Sequence, residues 1–285
     1  MYQFPIGVLL ESFREEPDKA MESAAKLGAQ GVQVYAAGGY FDIDSITPSK
    51  ISELRKMLSD NGLTLSAVCG DFICGRPDLH FSDPSCSAYI IEKSKRILDF
   101  AKEAGTNIVT THVGVVPKDM QCEKFKVTQS VCRSLAEYAD SLDAHFAIET
   151  GPEIATTLKQ LLDSLDSKGV GVNLDPANLV MVTGDNPAKA VYTLKDYIVH
   201  THAKDGKMLV KGDPEVIYGE IETEIQNMQY FIEMPLGEGE VPYPEYLKAL
   251  DEIGYRGFLT IEREVGETPK KDIETAMDFL KKMMK

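Results

Sequence analysis

The sequence predicts an α/β fold: one (β/α)8 TIM barrel over residues 1–285, with its active site at the C-terminal ends of the strands. Three observations predict it. First, a short β-branched apolar run ending in a polar residue is followed by an amphipathic helical stretch, and the pattern recurs eight times. Second, strict alternation of strand and helix calls for a parallel sheet. Third, 285 residues suit a closed barrel, which typically takes roughly 250, and no Pro/Ser-rich linker or low-complexity segment divides the chain.

The first run, FPIGVLLES, precedes a helix around 17–27, where Ala20, Ala24 and Leu27 form an apolar stripe. GVQVYA precedes a helix from Ser49 to Asn61. There Ile51, Leu54 and Leu58 share a face, and Asn61-Gly62 is a stop signal. LTLSAVCG leads into a long loop, about 70–85, and a helix over 86–104. TNIVTTHVG precedes a helix over 122–142. HFAIET precedes EIATTLKQLLDSL, with Glu153 read as a first-turn residue that suits the helix dipole. GVGVNLD precedes a short helix after Pro187. YIVHTHAKD precedes a long irregular stretch, about 206–240, and then YPEYLKALDEIG. GFLTIERE precedes the last helix, KKDIETAMDFLKKMM.

Bulk properties exclude several classes. With 43% hydrophobic residues the chain can build a large core. No apolar stretch approaches the roughly 20 residues of a membrane helix, and MYQFPIGVLLESF lacks a basic n-region, so it reads as a first strand and not a signal peptide. The net charge of −15 argues against a duplex nucleic-acid binder. The five cysteines, an odd number with no CxxC pair, suit reduced thiols in a cytoplasmic setting. Packing is the expectation for each, and Cys69, at a strand end, is the one placed to approach a site. GEGE at 237–240 lacks a third glycine and reads as a turn, not a phosphate cradle.

The chemistry is read from the strand ends. The fourth run ends at His112, the fifth at Glu149, the sixth at Asp175, the seventh at His202 and the eighth at Glu262. From 149 to 175 is 26 residues and from 175 to 202 is 27, close to one strand–helix unit each. From 202 to 262 is 60, which places an insertion after the seventh strand. Each residue alone has a bland reading: Glu149 as a turn starter, Asp175 as an N-cap, His202 as a packed ring, Glu262 among the surface charges of EREVGE. Taken together, in register, two Glu, one Asp and one His make an oxygen/nitrogen metal site. Alternation along a strand puts His200 and His202 on one side, so a rim ligand can be braced by the deeper His200. His112 fits substrate contact or structural hydrogen bonding equally. Lys204 and Asp205 fit an ion pair with each other or with neighbours, or contact with a hydroxyl-rich or anionic ligand.

AIETGPE, NLDPAN, HTHAKDG and FLTIERE resemble the motifs of the xylose-isomerase-like TIM-barrel superfamily, the sugar phosphate isomerase/epimerase group. GAQGVQVYA and VTTHVGVVP resemble its second and fourth strands, so the likeness covers nearly the whole chain. It implies one divalent cation (Mn²⁺, Mg²⁺, Co²⁺ or Zn²⁺) on Glu149, Asp175, His202 and Glu262. It also implies that Glu149 and Glu262 act as acid and base on opposite faces of a small sugar or sugar-phosphate substrate, through a metal-bound cis-enediolate. The position three after the aspartate is commonly a substrate-contacting histidine in the epimerase branch, and here it is Asn178. Members of the superfamily often form homo-oligomers. The alternatives that the resemblance carries are an inosose-dehydratase-type lyase, an abasic-site endonuclease relative and a non-catalytic sugar-binding barrel.

Overall fold

The computed structural model describes residues 2–74, 76, 78–221 and 228–285, so residues 75 and 77 of the predicted 70–85 loop and 222–227 of the 206–240 loop lie outside the description. Its strands are β1 (Ile6–Leu9), β2 (Gly31–Tyr35), β3 (Thr64–Cys69), β4 (Ile108–Thr111), β5 (His145–Glu149), β6 (Val170–Leu174), β7 (Ile198–Ala203), β8 (Asp205–Met208), β9 (Phe231–Met234) and β10 (Leu259–Ile261). The helices are α1 (Pro17–Leu27), α2 (Pro48–Asn61), α3 (Ser87–Ala104), α4 (Glu123–Ser141), α5 (Ala155–Leu165), α6 (Pro176–Asn178), α7 (Pro187–Leu194), α8 (Pro214–Ile217), α9 (Tyr243–Glu252) and α10 (Pro269–Met283). All strands but β8 and β9 form one closed parallel barrel, ordered β1-β10-β7-β6-β5-β4-β3-β2. Ile6 opposite Leu259 and Val8 opposite Ile261 close the ring.

The elements have local causes, of which the Asn61-Gly62 stop was read from the sequence. Pro17 and Pro48 open α1 and α2, where a missing N–H costs nothing. Thr47 adds a side-chain cap to the amide of Lys50 at 3.3 Å, and α2 ends on Gly62 at φ 64°, the left-handed stop that glycine permits. Leu158, Leu161, Leu162 and Leu165 of α5 are buried against the sheet, each contributing roughly 1.5–3 kcal/mol of apolar transfer. The cysteines at 69, 74, 86, 122 and 132 are free thiols. No helix among the described residues is long and apolar enough to cross a membrane.

Three expectations are corrected. The stretch after the seventh strand is not wholly irregular: β8 and β9 pair antiparallel, Asp205 opposite Met234 through Met208 opposite Phe231, as a hairpin beside the barrel mouth. A short helical segment, α6 followed by a π-turn over Leu179–Thr183, precedes α7. Glu153 is not in the first turn of α5. That helix is capped by Ile154, and Glu153 is buried with Oε2 accepting from the amide of Val116 at 3.3 Å.

Candidate metal and active site

The barrel delivers four side chains to one point. Glu149 ends β5, Asp175 follows β6, His202 lies within β7 and Glu262 follows β10. One ligand atom from each lies within 4.8 Å of all the others. His202 Nδ1 is the hub, 3.1 Å from Glu262 Oε2 and 3.4 Å from both Glu149 Oε1 and Asp175 Oδ2. Asp175 combines the two readings of its sequence position. Its Oδ1 caps α6 by accepting from Asn178 N at 2.8 Å. Its Oδ2 is buried with no hydrogen bond, facing the other ligands at ion-pair range only. A buried acceptor left unmade costs about 1–3 kcal/mol, and a cation bound there would remove that cost.

Beneath the cluster runs a polar layer two residues back along three strands. His200 Nδ1 is 2.9 Å from Asn173 Oδ1, and His200 Nε2 is 2.9 Å from Thr260 Oγ1. Burial, with His202 beside it, drives the His200 pKa well below the usual value, so the ring is neutral. An amide oxygen can only accept, so Nδ1–H donates to Asn173 and Nε2 accepts from the Thr260 hydroxyl. Asn173 is thereby turned to donate Nδ2–H to Glu149 Oε2 at 2.8 Å. The bracing expected of His200 reaches a ligand this way, through Asn173 to Glu149. Its direct contact with His202 is edge-on between rings, 5.7 Å apart.

Gln33 on β2 orients the hub itself. Its Oε1 lies 3.0 Å from His202 Nε2, and its own amide donates to Thr110 Oγ1 at 2.8 Å. Nε2–H therefore donates to Gln33, which leaves Nδ1 as the lone pair for a metal.

Charge in the site is strongly correlated. Burial opposes a charged His202, but Glu262 and Glu149 outweigh it and hold its pKa well above normal. Burial likewise opposes a charged Glu262, but His202 and Lys204 overcome it and hold its carboxyl well below normal. Burial raises Asp175, with His202 pulling the other way. In effect the imidazolium substitutes for a cation. A divalent ion on the same atoms would displace that proton and leave a neutral ring.

Above the cluster opens a cavity of about 1230 Å³. Glu149 and Glu262 line it, whereas Asp175 and His202, 0% and 1% exposed, form the floor beneath. Of the residues read as substrate-facing, His112, Asn178 and Lys204 line the cavity. His112 Nδ1 is 2.6 Å from Asp71 Oδ2, and its Nε2 is 3.8 Å from Glu149 Oε1. Burial alone would lower its pKa, yet Asp71 and Glu149 push it up to about 10. Asn178 donates to Glu149 Oε1 at 3.1 Å. Lys204 does not pair with Asp205. Its ammonium sits 3.0 Å from Glu262 Oε2, 3.9 Å from Glu233 Oε2 and against Glu264.

Asp205 is a correction: it does not line the cavity. Its carboxylate accepts from the amides of Gly206, Gly237, Gly239 and Val241 at 2.9–3.1 Å. The 237–240 turn does make an anion nest, and Asp205 fills it. Arg263, read as surface, is buried and pairs with Glu233 at 2.6 Å and Asp272 at 2.8 Å.

Gln33, Asn173, Asp71 and Tyr218 were not anticipated. Gln33 and Asn173 had a signal, a polar side chain inside an apolar strand, and Asn173 is two residues before a ligand. Tyr218 had none. It comes from the hairpin insertion, its ring is 5.8 Å from that of His112, and its hydroxyl lies over Gly151, where a Cβ would meet it at 2.5 Å.

Residues 21–283 match the family model described as xylose isomerase-like TIM barrel. An uncharacterized protein of Methanocaldococcus jannaschii, MJ1311, is 24% identical over 204 residues, which is 67% of this chain and 62% of that protein. The rhizopine catabolism protein MocC of Rhizobium meliloti is 32% identical over 134 residues, 46% of this chain and 38% of that protein. The matches thus span less than two thirds of either relative. Among solved structures, a xylose isomerase domain protein from Planctomyces limnophilus has TM-score 0.79 and 26% identity, covering 99% of this chain and 96% of that one. A D-tagatose 3-epimerase-like protein has TM-score 0.74 at 21% identity, covering 98% of each chain, and shows a shared fold.

Proposed function

The chain belongs to the xylose isomerase-like TIM barrel family, and from that premise we propose that it is a divalent-metal-dependent sugar or sugar-phosphate isomerase/epimerase. The observation that carries the reading is the division within the cluster. Two carboxylates, Glu149 and Glu262, reach the cavity wall, while Asp175 and His202 stay beneath it. A divalent cation held by Glu149, Asp175, His202 and Glu262 would polarise a sugar carbonyl and acidify the adjacent C–H.

The protein's own groups do the proton work. Glu149 is oriented by Asn173 and Asn178, and Glu262 by Lys204. One carboxylate takes the α-proton and the other returns it. Return to the opposite face of the same carbon gives epimerisation, and return to the neighbouring carbon gives aldose–ketose isomerisation. His112, between Asp71 and Glu149, presents an N–H to a substrate oxygen. The relatives named above support the substrate class, since one carries the name of a sugar epimerase.

Metal content of the purified protein is measured first. Exchange of substrate α-protons with deuterated solvent is then followed across ketoses, inososes and their phosphates with that cation. Exchange is expected to require the metal and to be abolished by Glu149→Gln and by Glu262→Gln. Undiminished exchange in both variants overturns the assignment. A product with new enone absorbance reassigns the same machinery to a lyase.

A further inference from the structure

Resting on that reading, we infer that the substrate is an uncharged sugar or cyclitol and not its phosphate ester: the cavity's cations are already taken by the protein's own carboxylates, and so are the amides of the loops after β4 and β7.

Consider the cations first. Arg76 holds Asp78 in a two-point fork at 2.6 and 2.8 Å. Lys204 lies among Glu262, Glu264 and Glu233, and Arg263 is bound by Glu233 and Asp272. His112 is bound by Asp71. His80, also on the wall, sits in the fields of Asp83 and Glu220. Against these cations the same wall presents Asp71, Glu149, Glu220, Glu233, Glu262 and Glu264. A divalent ion on the four ligands would answer only two of the negative charges.

The backbone donors tell the same story. A phosphate in a barrel of this type commonly sits on amides of the loops after the seventh and eighth barrel strands. Here the loop after β7 has such a nest at 237–241, but it lies off the cavity wall and Asp205 occupies it, with a fourth hydrogen bond from Gly206 N. The amides after β4 are filled too: Val115 N donates to Glu220 Oε1 at 2.7 Å, and Val116 N to Glu153 Oε2 at 3.3 Å. A phosphate dianion entering the cavity would have to break one of these pairs or lie beside carboxylates without a partner. A hydroxyl-rich neutral ligand meets no such penalty, because a carboxylate accepts from a hydroxyl as readily as from an amide.

The test uses the metal-loaded protein and two readouts, binding by calorimetry and solvent exchange of α-protons. Probes are ketohexoses, inososes, the phosphate esters of both, and inorganic phosphate. Each ester is expected to bind at least about tenfold more weakly than its parent, and inorganic phosphate is expected not to compete. Glu264→Gln, which loosens the hold on Lys204, is expected to narrow that gap by improving the ester alone. Tighter binding of an ester with exchange intact overturns this inference and leaves the isomerase reading standing. Exchange with none of the probes overturns the isomerase reading, and binding of no neutral probe overturns both.

Discussion

Two carboxylates just past the ends of neighbouring strands, Asp175 after β6 and Asp205 after β7, meet opposite fates. Asp205 and Asp175 are both essentially fully buried at the same end of the barrel. Asp205 receives four backbone amides and faces no cavity. Asp175 keeps one oxygen without a hydrogen bond and shares a point with two other carboxylates and a histidine. The difference separates architecture from chemistry. A buried charge that the fold has satisfied holds the fold together, and one left incomplete has capacity to bind a ligand.

The strongest way to break that comparison is at the incomplete cluster. Glu149→Gln is expected to lower turnover by about 10²–10⁴-fold, the usual range for a lost acid–base group. In chelator its melting temperature should stay level or rise, because one of three crowded carboxylates is gone. A clear fall in stability with turnover kept would make Glu149 structural. At the satisfied carboxylate the pattern should reverse. Asp205→Ala strands four amides and is expected to cost about 2–4 kcal/mol in urea unfolding, while the folded fraction still binds the cation. Gln33→Leu tests whether the hub needs its orienting bond: metal affinity should fall about 10–100-fold by competitive chelator titration, with the fold intact.

Glu11 sharpens the comparison most finely. One of its oxygens accepts from Tyr35 N at 3.1 Å, the other is buried without a partner, and among the described residues it belongs to no cluster of metal-ligating groups. Burial raises its pKa from 4.5 to about 7, so this site is completed by a proton. The folded state thus binds that proton more tightly than the unfolded chain. The associated stability is present below about pH 4.5 and is lost as pH climbs through about 7. Glu11→Gln, which mimics the protonated form, should leave melting unchanged near pH 4.5 and raise stability above pH 7 by about 1–3 kcal/mol. Melts across that pH range decide it.

The fold was legible because alternation of apolar runs and amphipathic stretches is a property of each segment alone. The cluster was legible because strand ends in a parallel barrel share one rim, so Glu149, Asp175, His202 and Glu262 could be gathered by position. What escaped depends on the geometry between elements. No local pattern says that Asp205 turns away to 237–241 while Lys204, its neighbour, turns inward. The hairpin was hidden because β8 and β9 are separated by more than twenty residues and carry mixed polarity. Gln33 and Asn173 were hidden by habit more than by physics, since a polar side chain within an apolar strand already asks for a buried partner.

The closure of β10 onto β1 has a consequence for how the protein matures. The four donors are strung from position 149 to 262, and the last stands one residue past the strand that completes the ring. A chain still emerging from the ribosome, or one halted before its final strand docks, holds three donors and no enclosure. On the proposed reading, ion capture would belong to the end of assembly, and uptake of a cation timed against refolding would serve as a clock for the moment the cylinder shuts.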